Sequence, residues 1–494
     1  MSTSCKLTLS DAAARHLPAL STLVVALAST LVLTLAGCAS TAGIDPSAAK
    51  PVTPATLGAA DADAAAPIAT EWWKNFGDDK LSALVTQALE GNPNLKVAQA
   101  RLARAQSATD ITRSADGPQV NLSAEAMRQR YTTNGMVPAP LAGNFAETGT
   151  VQFNASWELD FFGRNRAAIE AAVGTQRAIE ADVQAARVLL ATNVARTYLQ
   201  LARQVELREV TRRTLAQREE TLALIRQRVQ AGLDTQVELK QGESLLPETR
   251  LVLEGLEEQI TLTRHALAAL TAQAPQALDQ LTPQLTAVQA VPLPASVPAD
   301  LLGRRADISA ARWRVEAATS DVAVARAQFY PNINLVAFAG VSSIGLDRLF
   351  RSTSEQYGVG PAIRLPIFDS GRLRANLRGR SADLDAAVET YNATVIDAVR
   401  DVADQITSLQ SIARQQTEQA AAQVAAEAAY DLAVQRYKAG LGTYLTVLNA
   451  ESNVLTQRRA ATELKTRAVD TQVALIRALG GGYTTPDTRV AAAR

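Results

Sequence analysis

The side chains that most often bind metals, attack substrates or carry protons are scarce in this sequence. The 494-residue chain contains two cysteines and two histidines. Cys5 and His16 lie in an N-terminal segment that is predicted below to be removed, which leaves Cys38 and His265. One cysteine and one histidine cannot form a disulfide or a zinc site. We interpret His265, which lies within a helical pattern, as an ordinary helix residue.

Enzymatic motifs are also missing from the sequence. It has no Gly-Lys-Ser/Thr phosphate loop, no Gly-x-Ser-x-Gly elbow and no His-Glu-x-x-His helix. Adjacent carboxylates such as Glu219-Glu220 and Glu257-Glu258 are interpreted as solvated helix faces. The 49 basic and 49 acidic residues balance, which argues against a nucleic-acid partner. We therefore expect no enzyme activity, catalytic residue, metal site or cofactor.

The first 37 residues have the pattern of an export signal. Lys6 and Arg15 precede an apolar run over 17–35, and serines and threonines interrupt that run, which disfavours a transmembrane anchor. The run ends in Leu35-Ala36-Gly37-Cys38, which resembles the bacterial lipobox. The resemblance implies cleavage before Cys38 and acylation of the cysteine. The attached acyl chains would then anchor the chain in the lipid of the outer membrane. The residue after the cysteine is Ala39 rather than an acidic residue, which in the resembling lipoproteins directs the protein to the outer membrane.

Two further segments have compositions that do not favour a packed core. Residues 38–70 are mostly alanine, threonine, proline, aspartate and glycine, with few large apolar side chains. Such a segment buries too little surface to offset the entropy of ordering the chain. We expect 38–70 to be a flexible, lipid-anchored tether and 484–494 a flexible tail.

The remaining chain contains two copies of one sequence repeat. Asn94 to Leu122 aligns with Asp307 to Leu335 without a gap. Arg228 to Thr235 aligns with Arg436 to Thr443 and is identical at five positions. Matches in the same order indicate a duplication. The predicted repeats cover 71–285 and 286–483, each with a helix, a β-hairpin and long helices.

Each repeat contains a stretch in which apolar and polar residues alternate. In the first, Val151, Phe153 and Trp157 alternate with Gln152 and Asn154. This period of two predicts strands with one apolar and one polar face. The predicted hairpins cover 119–161 and 332–367, and their strands, about 10 to 12 residues long, are long enough to cross a tilted bilayer.

The long segments after the hairpins have the pattern of helices. Arg164 to Ala231 contains no proline and one glycine, so one helix about 100 Å long is predicted. After Gly232 a second helix carries apolar residues seven apart, which predicts a coiled-coil seam at Leu239, Leu246, Leu253, Ile260 and Leu267. A weaker seam in the second repeat includes Val447, Val454 and Leu475. A soluble helical bundle would have such seams too, but it would leave the strand pairs unexplained.

Four strands per chain are too few to close a barrel, and open sheet edges are not tolerated in hydrocarbon. A trimer would supply about twelve strands, enough for a water-filled pore. The predicted fold is therefore mixed α and β: a trimeric 12-stranded β-barrel continuous with a periplasmic α-helical barrel.

Several motifs resemble one family in the same order along about residues 71–483. They are Glu71-Trp72-Trp73-Lys74, Asn92-Pro93-Asn94-Leu95, Trp157-Glu158-Leu159-Asp160, Leu301-Leu302-Gly303-Arg304 and Tyr437-Lys438-Ala439-Gly440. The family is that of the TolC-like outer-membrane efflux channels, in particular their lipoprotein, or NodT-type, branch. It usually has proline where this chain has Ala306. The resemblance implies a homotrimer that works with a periplasmic adaptor protein and an inner-membrane RND pump.

The resemblance also assigns roles to the turns after Ala231 and Ala439. It implies that they form the periplasmic tip, where the channel is closed at rest and the adaptor docks. The matching constriction residues are Glu238, Tyr437, Thr446 and Asn449, and we expect the Tyr437 phenol to bond the Glu238 carboxylate. Relatives commonly carry aspartates at the last two positions. The predicted turn and adaptor contacts are Gly232, Leu233, Thr235, Gly440, Leu441 and Thr443. The glycines can also be read simply as helix caps.

The first functional hypothesis is an outer-membrane exit duct that passively conducts small molecules, such as drugs, from the pump to the outside. A duct for protein secretion is the alternative, because one architecture serves both. A periplasmic adaptor, the third hypothesis, would have one helical hairpin and no membrane-length strand pairs. A structural envelope lipoprotein, the fourth, would conduct no ions.

Overall fold

The computed structural model describes residues 41, 43, 44, 48–52, 68–285 and 304–483. The predicted signal segment, Cys38, most of the predicted tether and the predicted C-terminal tail therefore lie outside the described residues.

The two halves of the chain have the same order of strands and long helices. In the first half the elements are α1 (Asp79–Gly91), α2 (Pro93–Ser114), β1 (Gln119–Arg130), β2 (Phe145–Leu159), α3 (Arg164–Gln230) and α4 (Gln236–Leu270). In the second half they are α5 (Ala306–Ala327), β3 (Asn332–Ile344), β4 (Glu355–Arg364), α6 (Arg372–Lys438) and α7 (Tyr444–Ala478). The long helices α3 and α6 have 67 residues each, and α4 and α7 have 35 each. The predicted long helices are thus confirmed.

The described residues form two compact units. The strand unit contains Ser107–Gly174 and Val315–Ala387, with the described residues up to Ala49. The helix unit contains the described residues within Lys50–Gln106, within Thr175–Arg314 and from Val388 onward. The strand unit holds the whole sheet, and the helix unit holds both turns of the candidate site.

The strand unit contains one antiparallel sheet in the order β1-β2-β3-β4. Its register places Gln152 between Ser123 of β1 and Gly340 of β3, and Gly340 lies opposite Gln356 of β4. Because directly paired residues point to the same face of a sheet, these four residues form one row across it.

One face of the sheet is mainly polar and the other mainly apolar, as the alternation predicts, although Val336 and Phe338 of β3 lie on the mainly polar face. On the polar face, the Asn154 side chain donates to Ser123 Oγ at 2.9 Å. Gln356 donates to Gln152 Oε1 at 2.9 Å, across the space above Gly340. The other face carries large apolar side chains that are exposed in this chain, including Leu122, Phe153, Trp157, Val359 and Ile363.

Strands β2 and β4 end earlier than predicted, at Leu159 and Arg364 rather than at 161 and 367. Pro366 has no N–H to continue the ladder after β4. After β2, the Asp160 carboxylate accepts a hydrogen bond from the Arg166 N–H in the first turn of α3, at 2.9 Å.

The core of the helix unit surrounds an aromatic cluster near the start of the unit's helices. Trp72 lies edge-to-face with Trp73 and Phe76, with ring centroids 5.6 and 6.0 Å apart. The buried Tyr198 donates to Asp78 Oδ2 at 2.7 Å. Asp78 also caps α1, so one carboxylate joins the first helix to the long α3.

The predicted seams pack within the helix unit. Ile260 and Leu267 of α4 are completely buried, and Val447, Val454 and Leu475 of α7 are buried as well. The seam of α4 is therefore buried at Ile260 and Leu267, whereas Leu239, Leu246 and Leu253 are half-buried. Within the described chain, no helix is both long and apolar enough to cross a membrane.

Candidate functional site at the helix-to-helix turns

The first turn lies between α3 and α4, and the second lies between α6 and α7. Gly232 and Gly440 adopt positive φ angles of 69° and 73°. The next N–H in each turn closes a matching bond: Leu233 donates to the Arg228 carbonyl and Leu441 to that of Arg436, both at 2.8 Å. These are Schellman caps, so the interpretation of both glycines as helix caps is confirmed.

The helices that follow the turns begin differently. Thr235 accepts the Val237 N–H at 3.1 Å, and Glu238 accepts the Thr235 N–H at 2.9 Å, which completes a capping box. In the second turn Thr443 makes no side-chain cap bond, and its hydroxyl lies 3.0 Å from that of Thr446. The difference follows from Glu238 standing where the second turn has Thr446.

Asp234 links the two turns through a compact polar cluster. Arg228 donates to both of its carboxylate oxygens, at 2.9 and 3.3 Å. The Tyr437 hydroxyl donates to Asp234 Oδ2 at 2.5 Å. The Arg228 guanidinium also lies 4.6 Å above the centre of the Tyr437 ring. We call Arg228, Asp234 and Tyr437 the turn clamp, because they fasten the second turn to the first.

The clamp is protected from solvent. Tyr437 is 1% exposed, and the side chains of Arg228 and Asp234 are 12% and 10% exposed. Burial alone would raise the pKa of Asp234, but the hydrogen bonds from Arg228 and Tyr437 outweigh it and lower that pKa. Burial and the bond to Asp234 raise the pKa of Tyr437. At neutral pH the carboxylate is therefore ionised and the phenol keeps its proton.

Apolar packing supports the clamp from beneath. Tyr437 packs with Ile225, Tyr444 and Val447, and the two tyrosine rings are 6.0 Å apart. Gly242 allows α4 to approach α3, because a Cβ there would lie 3.1 Å from the Ile225 side chain. Burial and the nearby Glu451 charge raise the pKa of Tyr444 to about 12.

A second polar link joins three helices farther along the same bundle. Arg218 of α3 donates to Glu451 of α7 at 3.0 Å and to the Thr249 hydroxyl of α4 at 2.8 Å. The Arg218 and Glu451 side chains are 14% and 10% exposed. The turns are therefore mounted on helices that are themselves joined by a largely buried ion pair.

One expectation about this site is wrong. The Tyr437 phenol bonds Asp234 and not Glu238, because the Glu238 carboxylate is held by Thr235 in the capping box. Thr446 and Asn449 are exposed on the first turns of α7. The sequence did hold a signal for Asp234, since it is an added charge where the matching turn has Gly442.

The apolar tips of the turns face solvent in this chain. Leu233 is 64% exposed and Leu441 is 70% exposed. Such side chains are available for contact with another protein. Among the described residues, no group of three histidine, cysteine or acidic side chains is arranged to hold a metal ion.

Comparison with known proteins identifies relatives across most of the chain. The family model described as "Outer membrane efflux protein" matches residues 84–273 and 297–481. The multidrug resistance outer membrane protein MdtQ of Escherichia coli is 34% identical over 92% of this chain and 97% of its own length. The fusaric acid resistance protein FusA of Burkholderia cepacia is 38% identical over 71% of this chain and 68% of its own. The crystal structure of the outer membrane protein VceC of Vibrio cholerae superposes with a TM-score of 0.80, at 36% identity, over 85% of this chain and 100% of that one.

Proposed function

The chain belongs to the outer membrane efflux protein family, and from this premise we propose that it is the outer-membrane exit duct of a tripartite efflux system. It conducts small molecules passively from an inner-membrane RND pump and a periplasmic adaptor to the outside. The duct itself performs no catalysis. The predicted family and fold class are confirmed by the same comparisons.

The observation that carries this proposal is the four-stranded sheet. Its apolar face is exposed along the strands, and its edge strands β1 and β4 each pair with one strand in the part of the chain that the structure describes. An apolar face suits lipid, but an unpaired edge does not, because bare backbone groups are costly in hydrocarbon. Three copies would close twelve strands, with the polar face and its glutamine row turned toward a water-filled bore.

The names of the relatives favour efflux of small molecules over protein secretion, since MdtQ is a multidrug resistance protein and FusA a fusaric acid resistance protein. The adaptor hypothesis is wrong, because it requires one helical hairpin and no long strand pairs. Family membership equally opposes a purely structural lipoprotein.

The turns serve as the periplasmic tip in this proposal. Both end in exposed leucines, Leu233 and Leu441, which provide an apolar contact for the adaptor. Gly232, Thr235, Gly440 and Thr443 shape the backbone of the contact. Glu238, Thr446 and Asn449 surround the aperture, and the buried Tyr437 acts behind them through the turn clamp, which holds the aperture closed by keeping the two turns of each chain together.

Cys38 carries the lipid anchor in this proposal. It lies outside the described residues, so the support is the lipobox-like sequence alone. Replacing Cys38 by serine should abolish incorporation of radiolabelled palmitate, and labelled C38S protein would rule the anchor out.

Reconstitution tests the duct. Detergent-purified protein should have a protein mass of three chains and should produce discrete ion-conducting steps in planar bilayers. Deleting the gene should sensitise cells to exported compounds, and the parent gene should restore resistance. A stable monomer, or a trimer without conductance, would contradict the proposal.

A further inference from the structure

A cavity of about 590 Å³ opens within the strand unit, where the sheet meets the long helices. Its walls come from the ends of β2 and β4, the start of β3 and the first residues of α3 and α6. Both strand-to-helix connections of the chain also contribute to it. The cavity is separate from the turn clamp, because the clamp lies in the helix unit.

The sheet contributes its mainly polar face to this cavity. Glu158 of β2 lies opposite Asn334 of β3, and Asn332 lies opposite Arg364 of β4. Along their strands, these residues are an even number of positions from the row that contains Gln152, so they lie on the same face as that row. The cavity therefore has one wall of amide and charged side chains.

Three arginines line the cavity, but a carboxylate pairs with only one of them. Arg164 forms an ion pair with Glu158. Arg364 and Arg372 form no ion pair in the part of the chain that the structure describes, and both side chains are exposed. Two guanidinium groups in one cavity are thus available to an anion, and guanidinium groups bind carboxylates through paired hydrogen bonds.

The position of Arg372 is unfavourable for a cation. It is the first residue of α6, whose first turn contains no acidic residue, and the start of a helix is the positive end of its dipole. The nearby Asp369 carboxylate accepts the Gly371 N–H at 3.0 Å and the Leu373 N–H at 2.9 Å, so it caps the helix instead of pairing with Arg372. A residue that breaks a local rule without a compensating partner often serves a function, and a bound anion would supply that partner.

The opposite wall of the cavity is aromatic. The rings of Phe162 and Tyr330 are stacked, with centroids 4.9 Å apart and an angle of 10° between their planes. Both line the cavity, and they are 44% and 54% exposed. An exposed stack of rings is a surface on which another flat ring can pack.

We propose that this cavity binds flat organic anions, such as aromatic carboxylates. Arg364 and Arg372 bind the carboxylate, and the ring of the ligand packs against Phe162 and Tyr330. The cavity volume is within the range of about 300 to 1,000 Å³ that is typical of small-molecule sites. In the proposed duct the mainly polar face is turned toward the bore, so the site would meet anions in transit. That last step rests on the proposed function, whereas binding itself does not.

Equilibrium dialysis tests the charged wall on the full-length protein, with the same detergent on both sides of the membrane. The probes are 2-naphthoate and its neutral isostere 2-naphthamide. Naphthoate should bind at least about tenfold more tightly, because only the anion can pair with the arginines. Arg364→Gln combined with Arg372→Gln should abolish that preference and leave the affinity for naphthamide unchanged.

Arg351→Gln is the matched control for this double variant. Arg351 is also exposed in the strand unit, but it lies in the β3–β4 connection, at the opposite end of the sheet. R351Q should keep the preference for naphthoate. Equal affinity of the parent for the two probes, unchanged naphthoate affinity in R364Q/R372Q, or an equal loss in R351Q would overturn the site.

Replacement of one ring tests the aromatic wall. Tyr330→Leu removes the stack with Phe162 and should weaken the binding of both naphthoate and naphthamide at least about threefold. Tyr357→Leu is the control, because the Tyr357 ring is 84% exposed on the mainly apolar face of the sheet, away from the cavity. Equal affinities in Y330L, Y357L and the parent would refute the preference for flat ligands.

Planar-bilayer recordings separate failure of the site from failure of the proposed duct. Naphthoate should reduce the conductance of the parent and should not affect R364Q/R372Q. In a gradient of potassium chloride, the double variant should be less permeable to chloride relative to potassium than the parent. A conducting parent that neither binds naphthoate nor responds to it would refute the site and leave the duct intact. A parent that binds naphthoate but never conducts would refute the duct alone.

Discussion

The Tyr437 hydroxyl donates a hydrogen bond to Asp234 Oδ2 at 2.5 Å, although the two residues are 203 positions apart in the sequence. Tyr437 lies in the last turn of helix α6, and Asp234 lies in the connection between α3 and α4. The duplication thus produced two similar turns, and one acidic residue that the second turn lacks now binds them together. If the turns form the periplasmic tip as proposed, moving one turn away from the other to open it would break this bond.

Tyr437→Phe should loosen the tip. It removes a hydrogen bond to a buried charged group, worth about 1.5 to 3 kcal/mol per chain, while keeping the ring and its contact with Arg228. If each chain of a trimer carries one clamp, open probability in planar bilayers should rise at least tenfold. Tyr444→Phe is the control, since it removes a hydroxyl from the same apolar cluster but does not touch the Asp234 bond. Equal conductance in Y437F, Y444F and parent would show that the clamp is not part of the gate.

Acid should open the tip only at low pH. The pKa of Asp234 is lowered from its ordinary value of 3.8, with burial opposed by bonds from Arg228 and Tyr437. The stability that the ionised Asp234 gives to the closed turns is therefore complete above pH 3.8 and is lost as pH falls through the lowered pKa. Conductance recorded from pH 7 to pH 4 should be constant and should rise below that range. Asp234→Asn should remove the acid-induced rise, and a rise centred near pH 6 would indicate a different titrating group.

Much of the fold was readable from sequence because it depends on periodicity. Alternation at Val151, Phe153 and Trp157 predicts the strand and its faces, and the glycine at 232 predicts where the long helix ends. The bonding partner of Tyr437 depends instead on a local competition. Thr235 and Glu238 form hydrogen bonds with each other in the capping box at the start of α4. The Glu238 carboxylate is therefore occupied, and the Tyr437 phenol bonds Asp234 instead. A resemblance that identifies the constriction cannot resolve that choice.

The two helix starts should differ in their response to the same substitution. Thr235→Ala removes the capping box of α4 and should cost about 1 kcal/mol, because orphan N–H groups lose a partner. Thr443→Ala should cost a few tenths at most, since Thr443 makes no side-chain cap bond. Amide exchange in the first turns of α4 and α7 checks this. Equal acceleration in both variants would contradict the difference in capping.

The ion pair between Arg218 and Glu451 should matter far more than an exposed pair. Glu451→Gln leaves the Arg218 charge buried without its carboxylate, at a cost of about 3 kcal/mol. Asp397→Asn is the control, because Asp397 and its partner Arg400 are 62% and 64% exposed and such pairs contribute about 0.5 kcal/mol. Thermal unfolding followed by circular dichroism should give E451Q a clearly lower melting temperature than D397N. Coincident melting curves would mean that Arg218 finds another partner.

Two glycines on the polar face of the sheet provide the sharpest test of its register. A Cβ at Gly340 would lie 2.2 Å from the Val151 carbonyl oxygen and 2.4 Å from the Gln152 Cα, whereas a Cβ at Gly360 would meet nothing within 4 Å. Gly340→Ala should therefore force β3 away from β2 and break the bond between Gln356 and Gln152, while Gly360→Ala should be tolerated. Outer-membrane fractions should contain at least tenfold less G340A than parent, and G360A should match the parent. Since both substitutions add one methyl group to adjacent strands, normal amounts of G340A would mean that the strands do not pair in this register.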